Sequence, residues 1–283
     1  MADPDTDQNA SGFVLYRYTP SIAAAVVFTG VFCALALFFI YRIVRHRTLF
    51  FIPFLVGLIF EAAGYIARIF SHFDTQALGP YITQTMLILV APPLFAASIY
   101  MTLGRLITQL HAESASLIRV RWLTKIFVVG DVISFLLQCG GGGYMSAGSD
   151  SAMLAGEHIV VAGLAIQLLF FGFFVLVASL FHWRWGYAVS QSTTTTIKSQ
   201  SGRLSWRGLM WALYAACTFI LVRSIFRMVE FVQGNDGWIM HREYLLYIFD
   251  ALLMAWTAMV LGFVFPGSFL EGRKRSAERA DSV

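Results

Sequence analysis

The chain has 283 residues, of which 58% are hydrophobic and only 13% are charged. A soluble domain of this length would carry about 25% charged residues, so the composition argues against a soluble protein and indicates a polytopic membrane protein. The net charge of +4 says little until the basic residues are assigned to connecting segments. All three cysteines fall within apolar segments, which is not the pattern of a disulfide framework.

Seven segments of the chain are apolar over about 20 residues, the length that a membrane-spanning helix needs. They cover residues 20–43, 50–71, 82–107, 123–144, 158–182, 208–233 and 243–265. We therefore expect an all-α fold, with a seven-helix membrane domain over residues 20–265. A polar segment (1–19) precedes this domain and a charged tail (266–283) follows it.

Lysine and arginine are distributed unevenly between the two sides of these seven helices. Fifteen of the 20 basic residues fall in the connections after helices 1, 3 and 5 or in the tail. The opposite side has only Arg17 and Arg242. Because basic connections stay in the cytosol, this predicts an N-terminus outside and a cytosolic C-terminus. A glycosylation sequon at Asn9 agrees with this orientation, although such short motifs are common by chance.

Charged and amide side chains recur inside the predicted helices at spacings that place them on one face. Helix 6 has Arg223, Arg227 and Glu230, and helix 7 has Glu243 and Asp250. The other candidates are Glu61 and Arg68 on helix 2, Asp131, Ser134 and Gln138 on helix 4, and Glu157 at the start of helix 5. A charge near the bilayer centre costs about 2.5 to 3.5 kcal/mol on insertion scales, so such residues usually face a bundle interior and have a role.

Most of these charges fall in the outer half of the predicted bundle, given a helical rise of about 1.5 Å per residue. We interpret them as lining one outward-opening cavity that binds the polar head of a substrate. Its expected residues are Glu61, Arg68, Asp131, Gln138, Arg223, Arg227, Glu230 and Asp250, with Glu157 and Glu243 at the edge. Arginines there suit a phosphate or carboxylate, and carboxylates suit an amine. Buried ion pairs that only fix helix register remain the alternative for each residue.

Helix-breaking residues occur within helix 3 and at the end of helix 4. Pro92 and Pro93, at mid-depth in helix 3, predict a kink and backbone carbonyls that are free to accept other hydrogen bonds. Four consecutive glycines, 140–143, predict a flexible outer cap on helix 4. Three isolated glycines are expected to allow helices to approach closely: Gly57, Gly64 and Gly172.

The sequence lacks the residues that several classes of membrane protein and enzyme require. All three lysines (Lys125, Lys198 and Lys274) lie outside the predicted spans or at their edges, so a retinal Schiff base has no candidate. No nucleotide-binding motif, nucleophile elbow or pair of histidines at metal-ligand spacing occurs in the sequence. We expect no catalytic residues, no metal, no cofactor and no nucleic-acid partner.

Five motifs together resemble a known family. They are FEAAGYIARIF (60–70), YITQTMLILVAPPLFAASIYMTLGRLI (81–107), GDVISFLLQCGGGGYM (130–145), GEHIVVAGLAIQLLFF (156–171) and RSIFRMVEFVQGNDGWIMHREYLLYIFDALLM (223–254). Their order and spacing resemble the fungal lipid-translocating exporter family, which includes a 7-aminocholesterol resistance protein, a sphingoid long-chain base transporter and a protoporphyrin uptake protein. The resemblance implies a seven-helix fungal protein that translocates lipid-like amphiphiles, with drug or lipid resistance as a consequence. It carries over no site residues.

Three hypotheses follow for the function. The preferred one is a transporter, not an enzyme, that exports or flips sphingoid bases, sterol-like compounds or related toxic amphiphiles at the plasma membrane. Its partners would be membrane lipids or amphiphilic small molecules. The alternatives are a seven-helix receptor or sensor of an amphiphilic ligand, and a membrane-embedded enzyme, such as a cyclase, that uses the buried carboxylates as acids.

Overall fold

Seven long helices, and no strand, occur in the part of the chain that the computed structural model describes, namely residues 21–73, 78–145, 150–191, 206–233, 242–265 and 267. The helices are α1 (Ile22–His46), α2 (Ile52–Phe73), α3 (Leu78–Gln109), α4 (Val120–Met145), α5 (Asp150–Gln191), α6 (Trp206–Gln233) and α7 (Glu243–Phe263). Single turns of 3₁₀-helix, Leu49–Phe51 and Glu113–Ala115, precede α2 and α4. The predicted segments 1–19, with its sequon, and 266–283 lie outside the described residues, apart from Gly267.

Each helix coincides with one of the predicted apolar segments, so the all-α prediction is confirmed. The largest difference is in α5, whose 42 residues extend beyond 158–182 at both ends. Within the described ranges, six helices are long and apolar enough to cross a membrane, and α4 is not among them. Helix α4 carries Lys125, Asp131 and Gln138 and contains the glycine run. Its crossing of the membrane therefore stays a prediction, as does the orientation of the termini.

The helices form a closed bundle in which each one packs against its neighbours in sequence. Helix α7 also packs against α1, which closes the ring, and α3 contacts α2, α4, α5 and α6. The core is rich in phenylalanine; Phe54 and Phe95, for example, stack with ring centroids 4.2 Å apart. The outside of the bundle exposes large apolar side chains such as Leu37, Phe70 and Leu169, as a surface that faces lipid would.

Helices α2 and α3 approach closely at two glycines, as predicted. A Cβ atom on Gly57 would lie 2.6 Å from the ring of Phe95, and one on Gly64 would lie 2.6 Å from Ile88 Cγ1. Any larger residue would therefore push the two helices apart. The same prediction is wrong for Gly172, because a Cβ atom there would have no atom of another helix within 4 Å in the described part of the chain.

The glycine run of α4 is not the flexible cap that the sequence predicted. Residues 140–143 are helical, and α4 continues to Met145. A Cβ atom on Gly141 would lie 2.7 Å from the carbonyl oxygen of Gly156 on α5, and one on Gly156 would lie 2.6 Å from the Gly141 oxygen. The backbones of α4 and α5 are thus in direct contact, and this packing offsets the low helix propensity of glycine.

Candidate functional site

An ion pair between α6 and α7 lies at the centre of the charged residues. The guanidinium of Arg223 contacts the carboxylate of Asp250, and both side chains are almost completely buried. Arg223 Nη2 also donates a hydrogen bond of 2.6 Å to the backbone carbonyl of Ile88 on α3. Arg223 therefore links α6 to two other helices.

The carbonyl of Ile88 is available to Arg223 because of Pro92. In a regular α-helix this carbonyl would accept a hydrogen bond from the N–H of residue 92, which proline lacks. Helix α3 runs without interruption through Pro92 and Pro93, so the freed carbonyl remains in place as a buried acceptor. The expected free carbonyl is confirmed, and its partner is a charged side chain from another helix.

Glu61 of α2 faces this ion pair with no partner of its own. Its side chain is fully buried, and its carboxylate lies within electrostatic range of Arg223, Asp250 and Arg227. Neither carboxylate oxygen accepts a hydrogen bond from the described residues. A buried carboxylate without hydrogen bonds is costly, so Glu61 is the member of the group with free capacity to bind a ligand.

Arg227 and Glu230 form a second ion pair, one turn further along α6. Arg227 Nη1 donates to Glu230 Oε2 at 2.7 Å, and the two side chains are 6% and 8% exposed. The guanidinium also lies 5.7 Å from the ring centroid of Phe231. Both residues thus point into the bundle, on the same face of α6 as Arg223.

A third group closes the end of the bundle where α1 begins. Arg68 of α2 donates to Glu243 Oε1 and to the hydroxyl of Tyr247, both at 3.0 Å. Glu243 also accepts a 2.8 Å hydrogen bond from the backbone N–H of Ser21, the N-cap residue of α1. This group joins α1, α2 and α7, and Glu243, at 19% exposed, is its most accessible charge.

Two of these residues lie on a π-helical segment of α7, Tyr247–Leu252, which contains Tyr247 and Asp250. Such segments are rare and occur frequently at functional sites. The ring of Tyr247 stacks on Phe28 of α1 and Tyr65 of α2, with centroids 5.4 and 6.1 Å away. Sequence reasoning missed the π-helical turn because no residue type specifies it.

We call these seven residues the charge network: Glu61, Arg68, Arg223, Arg227, Glu230, Glu243 and Asp250. They come from α2, α6 and α7, and the backbone of α3 contributes the Ile88 carbonyl. Glu61 and Asp250 are fully buried, so neither carboxyl group is accessible from outside the bundle in this structure. The outward-opening cavity that the sequence suggested stays a prediction.

The remaining predicted site residues, Asp131, Gln138 and Glu157, have no hydrogen bond or ion pair with the charge network among the described residues, and one convergent group from four helices stays a prediction. Asp131 of α4 has the hydroxyl of Tyr100 on α3 as its polar neighbour. Gln138 Nε2 donates to Gln167 Oε1 of α5 at 2.9 Å. Helix α4 packs against α3 and α5, and its polar side chains have their polar neighbours on those two helices. The half-buried Glu157 of α5 has no contact with the charge network among the described residues.

The fold and the charge network define a polytopic helical membrane protein with ionisable side chains in its interior. The family model described as RTA1 like protein matches residues 54–273, and the chain belongs to this family. It is 39% identical to protein RTA1 of Saccharomyces cerevisiae (90% of this chain, 86% of the relative). It is also 38% identical to protoporphyrin uptake protein 1 of the same yeast (92% and 95%).

A more distant relative is the sphingoid long-chain base transporter RSB1 of Saccharomyces cerevisiae. It is 23% identical to this chain over 96% of the chain and 79% of its own length. No solved structure matches the chain. The resemblance to a fungal lipid-translocating family, identified from five motifs, is confirmed by these relatives.

Proposed function

We propose that the chain transports lipid-like amphiphiles across a fungal membrane, with the charge network as the site for their polar head. The observation that carries the proposal is the free carboxylate of Glu61, buried beside Arg223 and Asp250. An amine head, as in a sphingoid base, would supply the hydrogen-bond donors that Glu61 lacks. The named activities of two relatives, sphingoid base transport and protoporphyrin uptake, support an amphiphilic substrate.

We further propose that α4 is a seventh membrane span, with the N-terminus outside at the plasma membrane. The exposed large apolar side chains of α4 include Ile126, Val129, Ile133 and Leu136. Their spacing places them on one helical face, which suits contact with lipid. The basic residues of the connecting segments support the orientation. Protease accessibility of N- and C-terminal tags in sealed membrane vesicles tests it.

The transport proposal is tested with the purified full chain in liposomes that contain a fluorescent sphingoid base or phospholipid. A membrane-impermeant quencher reports movement of the lipid between leaflets. We expect protein-dependent movement that Glu61→Gln lowers about tenfold or more, because a charge-assisted hydrogen bond to the amine is lost. Arg227→Ala should lower it as well, since Glu230 then loses its partner. Folding of each variant is verified by its thermal unfolding.

Glu157→Gln is the matched control for Glu61→Gln, because it makes the same change on α5, outside the charge network. We expect this variant to transport at the wild-type rate. Equal rates for wild type, Glu61→Gln and Glu157→Gln would contradict the assignment of the site. Saturable binding of the lipid without any movement would instead favour a receptor or sensor of an amphiphilic ligand.

A further inference from the structure

A cavity lies at the end of the bundle opposite Arg68 and Glu243. It has a volume of about 650 Å³. The turn between α1 and α2, the second half of α3, the beginning of α4 and Gly267 after α7 form its walls. The charge network shares no residue with this cavity, which we call the basic-end cavity.

The charged side chains that line the basic-end cavity are cationic. Arg47 and Arg105 line it together with His46, and no aspartate or glutamate is found among its described lining residues. The guanidinium of Arg105 lies 4.2 Å from the ring centroid of Phe50, which holds it against the wall. Arg47 ends α1 in a left-handed conformation, with φ 48°, and its backbone N–H donates to Ile43. The turn thus fixes the position from which Arg47 reaches the cavity.

Neutral hydrogen-bonding groups complete the lining. Thr48 is only 5% exposed, and its hydroxyl has no hydrogen-bond partner among the described residues. Thr108 and Thr124 contribute two further hydroxyl groups. Because a buried hydroxyl without a partner costs free energy, Thr48 has an unused donor at the place where the arginines provide positive charge.

We propose that the basic-end cavity binds a phosphate-bearing anion. Two arginines supply the charge and the paired N–H donors that bind phosphate oxygens well, and the Thr48 hydroxyl supplies a neutral donor. Basic pockets between membrane helices are suited to phosphorylated lipid heads, and free phosphate has the same chemistry. The proposal does not depend on the transport function, since it concerns other residues at the other end of the bundle.

The full chain, purified in detergent, is titrated with dioctanoyl phosphatidic acid, dioctanoyl phosphatidylcholine or inorganic phosphate while its thermal unfolding is followed. A ligand that binds only the folded protein raises the unfolding midpoint. We expect phosphatidic acid to raise it and phosphatidylcholine to have little effect. In Arg47→Gln/Arg105→Gln the apparent affinity for phosphatidic acid should fall at least about tenfold, as expected for lost charge-assisted hydrogen bonds.

Arg45→Gln is the matched control, because Arg45 is exposed on the same end of α1 and does not line the cavity. It should keep the wild-type affinity. Thr48→Val, which preserves the shape of the side chain, should weaken binding without lowering stability. This variant tests the proposal if the double variant does not fold. An equal response to inorganic phosphate identifies a free anion as the occupant, and a response to phosphatidic acid alone identifies a lipid head.

Two results would overturn the proposal. The first is an unfolding midpoint that no phosphate compound changes, or that phosphatidylcholine raises as much as phosphatidic acid does. The second is the same loss of affinity in Arg45→Gln as in the double variant, because the effect would then depend on surface charge in general.

Discussion

The two halves of the bundle satisfy their buried polar groups in different ways. Between α4 and α5, two neutral amides, Gln138 and Gln167, pair with each other, and the helices pack at backbone contact through Gly141 and Gly156. Between α2, α6 and α7, the buried groups are ionisable side chains, and Glu61 lacks a hydrogen-bonding partner among the described residues. The first arrangement is what packing alone requires.

The buried charges between α2, α6 and α7 cost more folding free energy than helix packing requires. Removing two charges from water costs several kcal/mol per ion, and well-packed apolar residues at the same positions are often equally stable or better. A purely structural role therefore accounts well for the amide pair and poorly for the charge network. The experiments below test this contrast, beginning with the largest expected effect.

Substitutions at the Arg223–Asp250 ion pair have the largest expected effect on stability. Asp250→Ala leaves Arg223 buried without its counter-charge, and the expected loss is about 3–5 kcal/mol of folding free energy. The double variant Arg223→Met/Asp250→Leu removes both charges and should regain most of the lost stability. Thermal unfolding of the three proteins in the same detergent measures both effects.

Transport by the double variant separates stability from function. If the ion pair belongs to the site, the double variant folds but no longer moves the fluorescent lipid in liposomes. If it folds and transports at the wild-type rate, the pair only fixes the positions of α6 and α7. The contrast between the two halves of the bundle would then disappear.

Substitutions at the glycine contact between α4 and α5 should change the stability of the protein but leave its transport rate nearly unchanged. Gly141→Ala places a Cβ atom against the Gly156 carbonyl, and such overpacking typically costs about 1–3 kcal/mol. Gly140→Ala is the matched control, because the space around Gly140 is open. It should stabilise α4 by about 0.5–1 kcal/mol, as alanine does relative to glycine within a helix.

Both alanine variants are measured by thermal unfolding and by transport per folded molecule. We expect the two midpoints to move in opposite directions while the transport rate of the folded protein changes little. A large loss of transport in a stable Gly141→Ala protein would show that movement between α4 and α5 is part of the transport cycle.

The sequence predicted the helices well because their signal is local. Runs of apolar residues locate all seven, and the spacing of Arg223, Arg227 and Glu230 correctly assigns one buried face to α6. The glycine run shows the limit of such reasoning. Residues 140–143 have poor helix propensity, and only contact with α5, which is not a local property, keeps them helical.

The burial of most candidate site residues could be predicted from the sequence, but their pairing could not. A charged residue within an apolar helix marks a candidate, and this rule selects Arg223, Asp250 and Asp131 alike. The free-energy cost of burying a charge does not depend on which helix lies beside it, so it does not predict which charges meet. Which groups meet depends on the order of the helices around the bundle, which brings Arg223 to Asp250 and Asp131 to Tyr100. The basic-end cavity cannot be predicted from the sequence, because Arg47 and Arg105 lie far apart in the chain and only the fold brings them together.

Replacing the Gln138–Gln167 amide pair has the smallest expected effect, and it provides the comparison for the ion pair. Gln138→Leu alone leaves the amide of Gln167 buried without its partner, which costs about 1–3 kcal/mol. Replacing both residues by leucine removes both polar groups, so the double variant should have nearly wild-type stability and should still transport. The double variants at the ion pair and at the amide pair thus make the same chemical change, from paired polar groups to apolar ones. If only the first abolishes lipid movement, the need for charge between α2, α6 and α7 is a property of the substrate site and not of helix packing.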